Sequence, residues 1–388
     1  MLTGITVVDF SRHLPGPYCT MRLADLGAEV IKVEAHPGGD PGRSLGPRVK
    51  ETGALFLSSN RNKRSVALNL HTEAGRALAF DLASRADVVV ESFRPGVMRH
   101  LGLDYDSLSA VHPSLVYCSV TGYGQTGDMH QLGGHDLNYQ AISGLLSAIR
   151  DSEGRPVPPE VPIADYAVGL YAAEQICAAL VRQCRHGQGA YLDVAAVDVL
   201  SSWMGLHALL AHDGQARAMG QFLKGMLAYQ VYESADGKYV TLAALEEKFW
   251  HNFCRAVGRE DWETLHGALI ADHPDVYEEM KALFLSRTQA EWSELGSEVD
   301  CCLTAVEEMD TWSGSAYVAS REVAFTLPYG TDGETLQVRV ERSRPLDGMT
   351  PPPRCGEDTR DVLKTKLNLT DDELTRLEQE GVIPQRML

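Results

Sequence analysis

Five short runs rich in β-branched and apolar residues, spaced by stretches with helical periodicity, constrain this chain more than any other feature. The runs are 5–10, 29–34, 65–70, 87–91 and 115–120. The run Asp87-Val88-Val89-Val90-Glu91 is nearly all β-branched. Between the runs, 21–26 (ended by Gly27) and 72–85 (with an acidic start) read as helices. Strands alternating with helices imply a parallel sheet with helices packed on it. In such folds ligands sit beyond the carboxyl ends of the strands. The loops after Glu34, Glu91 and Val120 are therefore where a site is expected.

Further along, 166–186 reads as one long apolar helix closed by Gly187-Gln188-Gly189, and 190–194 as another strand. A mixed helical stretch runs to about residue 227. The segments 229–233 and 238–243, joined at Ala235-Asp236-Gly237, read as a β-hairpin. Helical patterns fill 248–295, strands around a Gly-rich turn fill 326–341, and a polar helical tail follows. A composition shift near residue 215 points to a second, smaller domain, as a length of 388 residues allows. With 44% hydrophobic and 23% charged residues, a mostly disordered chain is excluded.

Charge and cysteines narrow the function classes. Thirty-five basic against 53 acidic residues leave a net charge of −18, which repels nucleic acid and anionic membrane. A polyanionic ligand must then meet a local basic pocket. No apolar run is long enough to span a membrane, and the first residues lack the pattern of a secretory signal. The eight cysteines form no C-x-x-C pair and no zinc-like cluster, so they read as reduced thiols of a cytoplasmic protein.

Familiar motifs are absent: no G-x-G-x-x-G follows the first strand, and there is no P-loop and no G-x-S-x-G. The most distinctive segment is Thr121-Gly122-Tyr123-Gly124-Gln125-Thr126-Gly127, followed by Gly133-Gly134-His135-Asp136-Leu137-Asn138-Tyr139. Glycines let backbone approach a ligand, and histidine is a side chain suited to passing a proton near neutral pH. The competing reading is that Asp136 caps a helix starting near Leu137, with His135 packed beside it. Asp165, between an apolar strand and the long apolar helix, is either an N-cap or a buried catalytic carboxylate. Base rates favour the cap. Glu246, between a strand and a helix, poses the same choice. Basic residues gather at Arg43, at Arg61, Lys63 and Arg64, and at Arg94 and Arg99. Scattered surface charge is the default account. Two of these clusters flank strand ends, where the fork of an arginine suits a phosphate-bearing ligand.

Taken in order, the blocks GITVVDFSRHLPGP, LADLGAEVIKVE followed by GD, NRNKRSVALNL, ADVVVESFRPGVM, GYGQTG to GGHDLNY, PIADYAVG and VYESADGKYVTLAALEEKFW carry a resemblance. The chain resembles the family III CoA-transferases of the CaiB/BaiF superfamily, a group that also includes racemases of 2-methylacyl-CoA thioesters. The resemblance implies an α/β fold: a Rossmann-like large domain with a parallel sheet, a smaller α+β domain, and an entwined homodimer. Residues 1–215 and 326–388 fall to the CoA-binding large domain, and 216–325 to the small one.

The resemblance also implies roles. The aspartate matching Asp165 is the nucleophile in transferases and a general acid/base in racemases. The racemases match further at His135, in G-H-D-x-N-Y, and at Glu246, in A-I-E. That favours racemisation at the α-carbon of a 2-methylacyl-CoA, with CoA transfer to a carboxylic acid through Asp165 as the alternative. His135 and Asp165 would face opposite sides of the α-carbon, with Glu246 hydrogen-bonded to His135 and Asp136 nearby. Backbone N–H groups at a helix start near Asp165 or His135 would meet the enolate oxygen. The CoA phosphates and adenine would lie against Arg94, Phe93, Arg99, Lys63 and Arg64, with Arg43 close by. Coenzyme A enters as part of the substrate, and no metal or redox cofactor is expected. Two places depart from the racemase pattern: Leu223-Lys224-Gly225-Met226-Leu227-Ala228-Tyr229, and Cys302-Leu303-Thr304-Ala305-Val306.

Overall fold

The strand runs pair as one sheet. The computed structural model describes residues 1–151, 153–329, 334–339 and 348–385. Its elements begin β1 (Thr6–Asp9), α1 (Pro15–Asp25), β2 (Glu29–Ala35), β3 (Lys63–Leu68), α2 (Glu73–Ala83), β4 (Val88–Glu91) and β5 (Val116–Thr121). They continue with α3 (Asp136–Ile142), α4 (Ile163–His186), β6 (Ala190–Ala195) and α5 (Ala196–Trp203). Six strands lie in the order β3-β2-β1-β4-β5-β6, every pair parallel. The chain builds outward from β1 on one side, then returns and builds outward from β4 on the other. This is the doubly wound order, and its switch point lies between β1 and β4.

Both faces of the sheet are covered, which explains the unbroken apolar runs. Side chains alternate: Val7, Val30, Val88, Val90, Val116 and Cys118 join the core under α1 and α4. Val8, Ile31, Val33, Val89 and Tyr117 join the opposite core, against Leu78 and Leu82 of α2. Val362, Leu363, Leu374 and Leu377 from two C-terminal helices, Thr359–Leu367 and Asp371–Gln379, belong to that same core. The C-terminal tail therefore covers the sheet.

The chain divides into two compact units, Met1–Met204 with Val323–Leu388, and Gly205–Glu322. The first break falls after Met204, not at 215. Helix α5 still buries Val199 and Leu200 in the sheet core, whereas Gly205–His212 buries none of its side chains. The second unit carries β7 (Tyr229–Glu233), β8 (Tyr239–Ala243) and β9 (Leu303–Ala305) as an antiparallel sheet. Its separate core holds Trp250, Trp262 and Trp292. Two strands, 324–328 and 335–339, pair antiparallel in the first unit, and the turn expected between them lies outside the described residues. Among the described residues no helix is long and apolar enough to cross a membrane.

Candidate active site

A cavity of about 510 Å³ opens at the switch point. The loop after β1 supplies Arg12 and His13, the loop after β4 supplies Phe93 and Arg94, and His130, His135 and Asp165 join them with Tyr123 and Tyr139. The loops after β4 and β5 were expected there, but the loop after β2 does not line it. Arg12 and His13 were not singled out in the sequence. Their signal was available, since they follow directly on the strand that the topology makes central.

Asp165 is the third residue of α4, whose N-cap is Pro162, so the capping reading of Asp165 fails. The cap comes from elsewhere. Asp136 Oδ1 accepts from the N–H groups of Ala164 at 2.7 Å and Asp165 at 3.2 Å. Asp136 itself sits in the first turn of α3, where His135 is the N-cap residue, and its other oxygen accepts from Gln140. The expected cap by Asp136 on its own helix is thus replaced by a cap on α4. The N–H of His135 donates to Asn138 Oδ1 at 3.0 Å. The N–H groups of Ala164, Asp165 and His135 are therefore already taken.

Burial pushes the Asp165 carboxyl up to about 7, and the neighbouring Asp136 charge adds to the rise. The α4 N-terminus pulls the other way, because helix dipoles favour an anion there. Desolvation of the half-buried carboxyl outweighs it. His135 is exposed on the cavity wall. His13 stands beside it with φ +67°, an unusual backbone for a side chain with a Cβ. Asp40 Oδ1 holds that turn by accepting from the N–H groups of His13 at 3.1 Å and Gly42 at 2.8 Å. Burial lowers the His13 pKa; the nearby His135 adds to this while Asp40 opposes it.

The glycines of the central block make room for tyrosines. A Cβ on Gly122 would lie 2.3 Å from the Tyr139 ring, and one on Gly134 would lie 2.6 Å from the Tyr123 hydroxyl. The two rings meet edge to face at 5.3 Å, and Tyr139 donates to the Gly134 carbonyl at 2.6 Å.

The basic residues separate into two groups. Arg43 grips Glu34 through Nε at 2.7 Å and Nη2 at 2.6 Å and lies over Phe56. Lys63 is buried, and its three protons go to Asp9, the Pro17 carbonyl and Asn60. Arg64 pairs with Glu29, Asp358 and Asp361. These three are tied into the fold, away from the cavity lining. Arg94 and Phe93 line the cavity, with Arg12 stacked 4.6 Å from the Phe93 ring. Arg94 also lines an adjoining cavity with Arg99, Glu91 and a cluster of tyrosines at 105, 117 and 191. There Arg99 pairs with Asp106 at 3.2 Å. Glu246 belongs to the other unit, exposed, as the N-cap residue of the helix Glu247–Ala256, and its side chain makes no cap bond.

Known proteins are similar to this chain over nearly its whole length. The description "CoA-transferase family III" matches residues 2–359. Mouse succinyl-CoA:glutarate CoA-transferase is 32% identical over 400 residues, covering 99% of this chain and 90% of its own. Mouse alpha-methylacyl-CoA racemase is 32% identical over 394 residues, covering 99% and 97%. A crystal structure of a CAIB/BAIF family protein from Brucella suis superposes with a TM-score of 0.79 at 26% identity, covering 94% of this chain and 99% of that one. Agreement over nearly the whole length, on a doubly wound sheet with a cavity at its switch point, makes this chain an enzyme of CoA-transferase family III.

Proposed function

We propose that this enzyme racemises a 2-methylacyl-CoA thioester by moving one proton off and another onto the α-carbon. The observation that carries the reading is Asp165 at about 7 sharing a cavity with His135. A carboxyl with that pKa exists in both forms near neutrality, so it can take a proton and return one. Asp165 and His135 flank the α-carbon: one removes the proton, and the other, already protonated, delivers its own to the opposite face. The thioester enolate lies between them. Arg94, Phe93 and Arg99 receive the CoA moiety. In this reading the enzyme is an entwined homodimer, and Glu246 hydrogen-bonds His135 and sets its basicity.

The transferase reading draws on the 32% identity to a succinyl-CoA:glutarate CoA-transferase. There the Asp165 carboxylate attacks the thioester carbonyl and expels CoA thiolate, leaving an anhydride. The thiolate attacks the aspartyl carbonyl, releasing the first acid. The acceptor acid and the same two steps in reverse order then complete transfer.

Incubation with a 2-methylacyl-CoA in D2O, with and without free carboxylic acids, separates the two. Deuterium at the α-carbon without added acid is the expected result. New acyl-CoA species formed only with added acid, and no deuterium, would overturn racemisation in favour of transfer.

A further inference from the structure

The turn after β1 is gripped at three successive residues. Lys32, buried and ion-paired with Asp40 at 2.8 Å, donates to the Ser11 carbonyl at 2.8 Å. The Arg12 N–H donates to Ser92 Oγ at 2.9 Å, and the His13 N–H to Asp40 Oδ1 at 3.1 Å. The grip holds His13 at φ +67°, a left-handed backbone that a residue with a Cβ avoids unless its surroundings impose it. What the turn achieves is placement: the His13 side chain lines the cavity that holds Asp165 and His135. Its ring makes no hydrogen bond among the described residues.

Both reactions considered above need a donor in this cavity. Removing the α-proton and attacking the thioester carbonyl each place negative charge on the same carbonyl oxygen. The nearby N–H groups of Ala164, Asp165 and His135 already have acceptors. Of the other titratable side chains in the lining, Tyr139 donates to the Gly134 carbonyl, and His130 Nδ1 lies 2.7 Å from the Gly127 carbonyl. Arg12 stacks on Phe93, and Arg94 is shared with the adjoining cavity. Tyr123 and His13 remain, and of these His13 is the one set in place by an unusual backbone. We propose that His13 donates a ring N–H to the thioester carbonyl oxygen, a bond that strengthens as charge develops there. The proton stays on the ring nitrogen throughout. Burial favours the neutral ring; Asp40 opposes this, while His135, Arg12 and Lys32 add to it. A neutral imidazole can polarise a carbonyl in this way. The inference rests on the placement of the reacting thioester beside Asp165, and not on which of the two reactions follows.

Glycine adopts φ +67° freely, so His13→Gly keeps the turn and removes the ring. It should lower the turnover of racemisation, or of CoA transfer in a transferase, by about 10²–10³-fold, the loss that follows removal of one oxyanion donor. KM should change little, because the bond tightens in the transition state. A second readout needs no turnover. Asp165→Asn leaves the thioester intact under either reaction, and infrared difference spectra of bound 2-methylacyl-CoA with an isotopically labelled carbonyl report the bond to that oxygen. The carbonyl stretch should lie below its frequency in water, and adding His13→Gly in the same background should move it back up. A stretch unmoved by His13→Gly would give the role to another donor of the lining, such as Arg12, and overturn the proposal. A rise in KM with turnover intact would overturn it too. The infrared arm keeps this test apart from that of racemisation: a wild type without α-exchange sinks the racemase reading, and the shift of the carbonyl stretch still decides the role of His13.

Discussion

At the residue scale, two carboxyls, the half-buried Asp165 and the buried Glu91, hold protons unusually well. Asp165 faces the cavity, so its titration reports on chemistry. His135→Ala should abolish racemisation, because the pair loses the group that serves one face of the α-carbon. Full racemisation retained in that variant, measured by chiral analysis of the thioester, would refute the two-base assignment. Glu91 differs. It ends β4 inside the adjoining cavity, accepts the Phe93 N–H at 2.7 Å, and is pushed up to about 7 from an ordinary 4.5, chiefly by burial. Its folded form holds the proton more tightly than its unfolded form. The stability this gives is present in full below pH 4.5 and lost as pH rises through 7. Glu91→Gln carries no charge and keeps an acceptor for Phe93. Its Tm should match the wild type near pH 4.5 and exceed it at pH 8.5, by at most about 3 kcal/mol in stability. Identical Tm profiles for the two proteins would refute this.

At the element scale, helix α4 begins where a residue distant in sequence lets it begin. Its start was read at Tyr166, but the helix starts at Ile163 because Asp136 accepts from its first-turn N–H groups. Asp136→Ala strands two donors and should cost about 1 kcal/mol in a denaturant titration. Asp136→Asn keeps the acceptor and removes the charge that helps to raise Asp165. The limb of the pH–rate profile set by Asp165 should then move to lower pH, by less than burial alone contributes. An unmoved limb would mean that Asp136 acts only as a cap. The glycines in this region serve packing. Gly122→Ala drives a methyl into the Tyr139 ring, and overpacking of this kind costs about 1–3 kcal/mol. An unchanged unfolding midpoint would show that Tyr139 moves aside freely.

At the scale of the whole molecule, the net charge of −18 and an anionic substrate are reconciled locally. The strand order brings basic side chains from two loops, 12–13 and 93–94, to one opening. Arg94→Ala should raise KM for acyl-CoA more than it lowers kcat, the pattern of lost uniform binding. The reverse pattern in steady-state kinetics would move Arg94 to the reacting centre. The second unit stands on its own core of three buried tryptophans, and its hairpin was legible from the Ala235-Asp236-Gly237 turn.

The strands, the parallel sheet and the long apolar helix were readable from local pattern, because a strand covered on both faces must be apolar on both. The blocks holding His135 and Asp165 were readable because each is a contiguous stretch of chain. Pairing was not readable. Arg43, Lys63 and Arg64 look like phosphate ligands in sequence, but partners such as Glu34, Asp9 and Asp361 lie up to 297 residues away and claim their charges. Arg12 and His13 look unremarkable in sequence, and only the strand order sets them in one cavity with Asp165. Hydrophobic periodicity is a property of neighbours along the chain. Whether a charge is spent inside the fold or left for a ligand depends on what the fold brings near it.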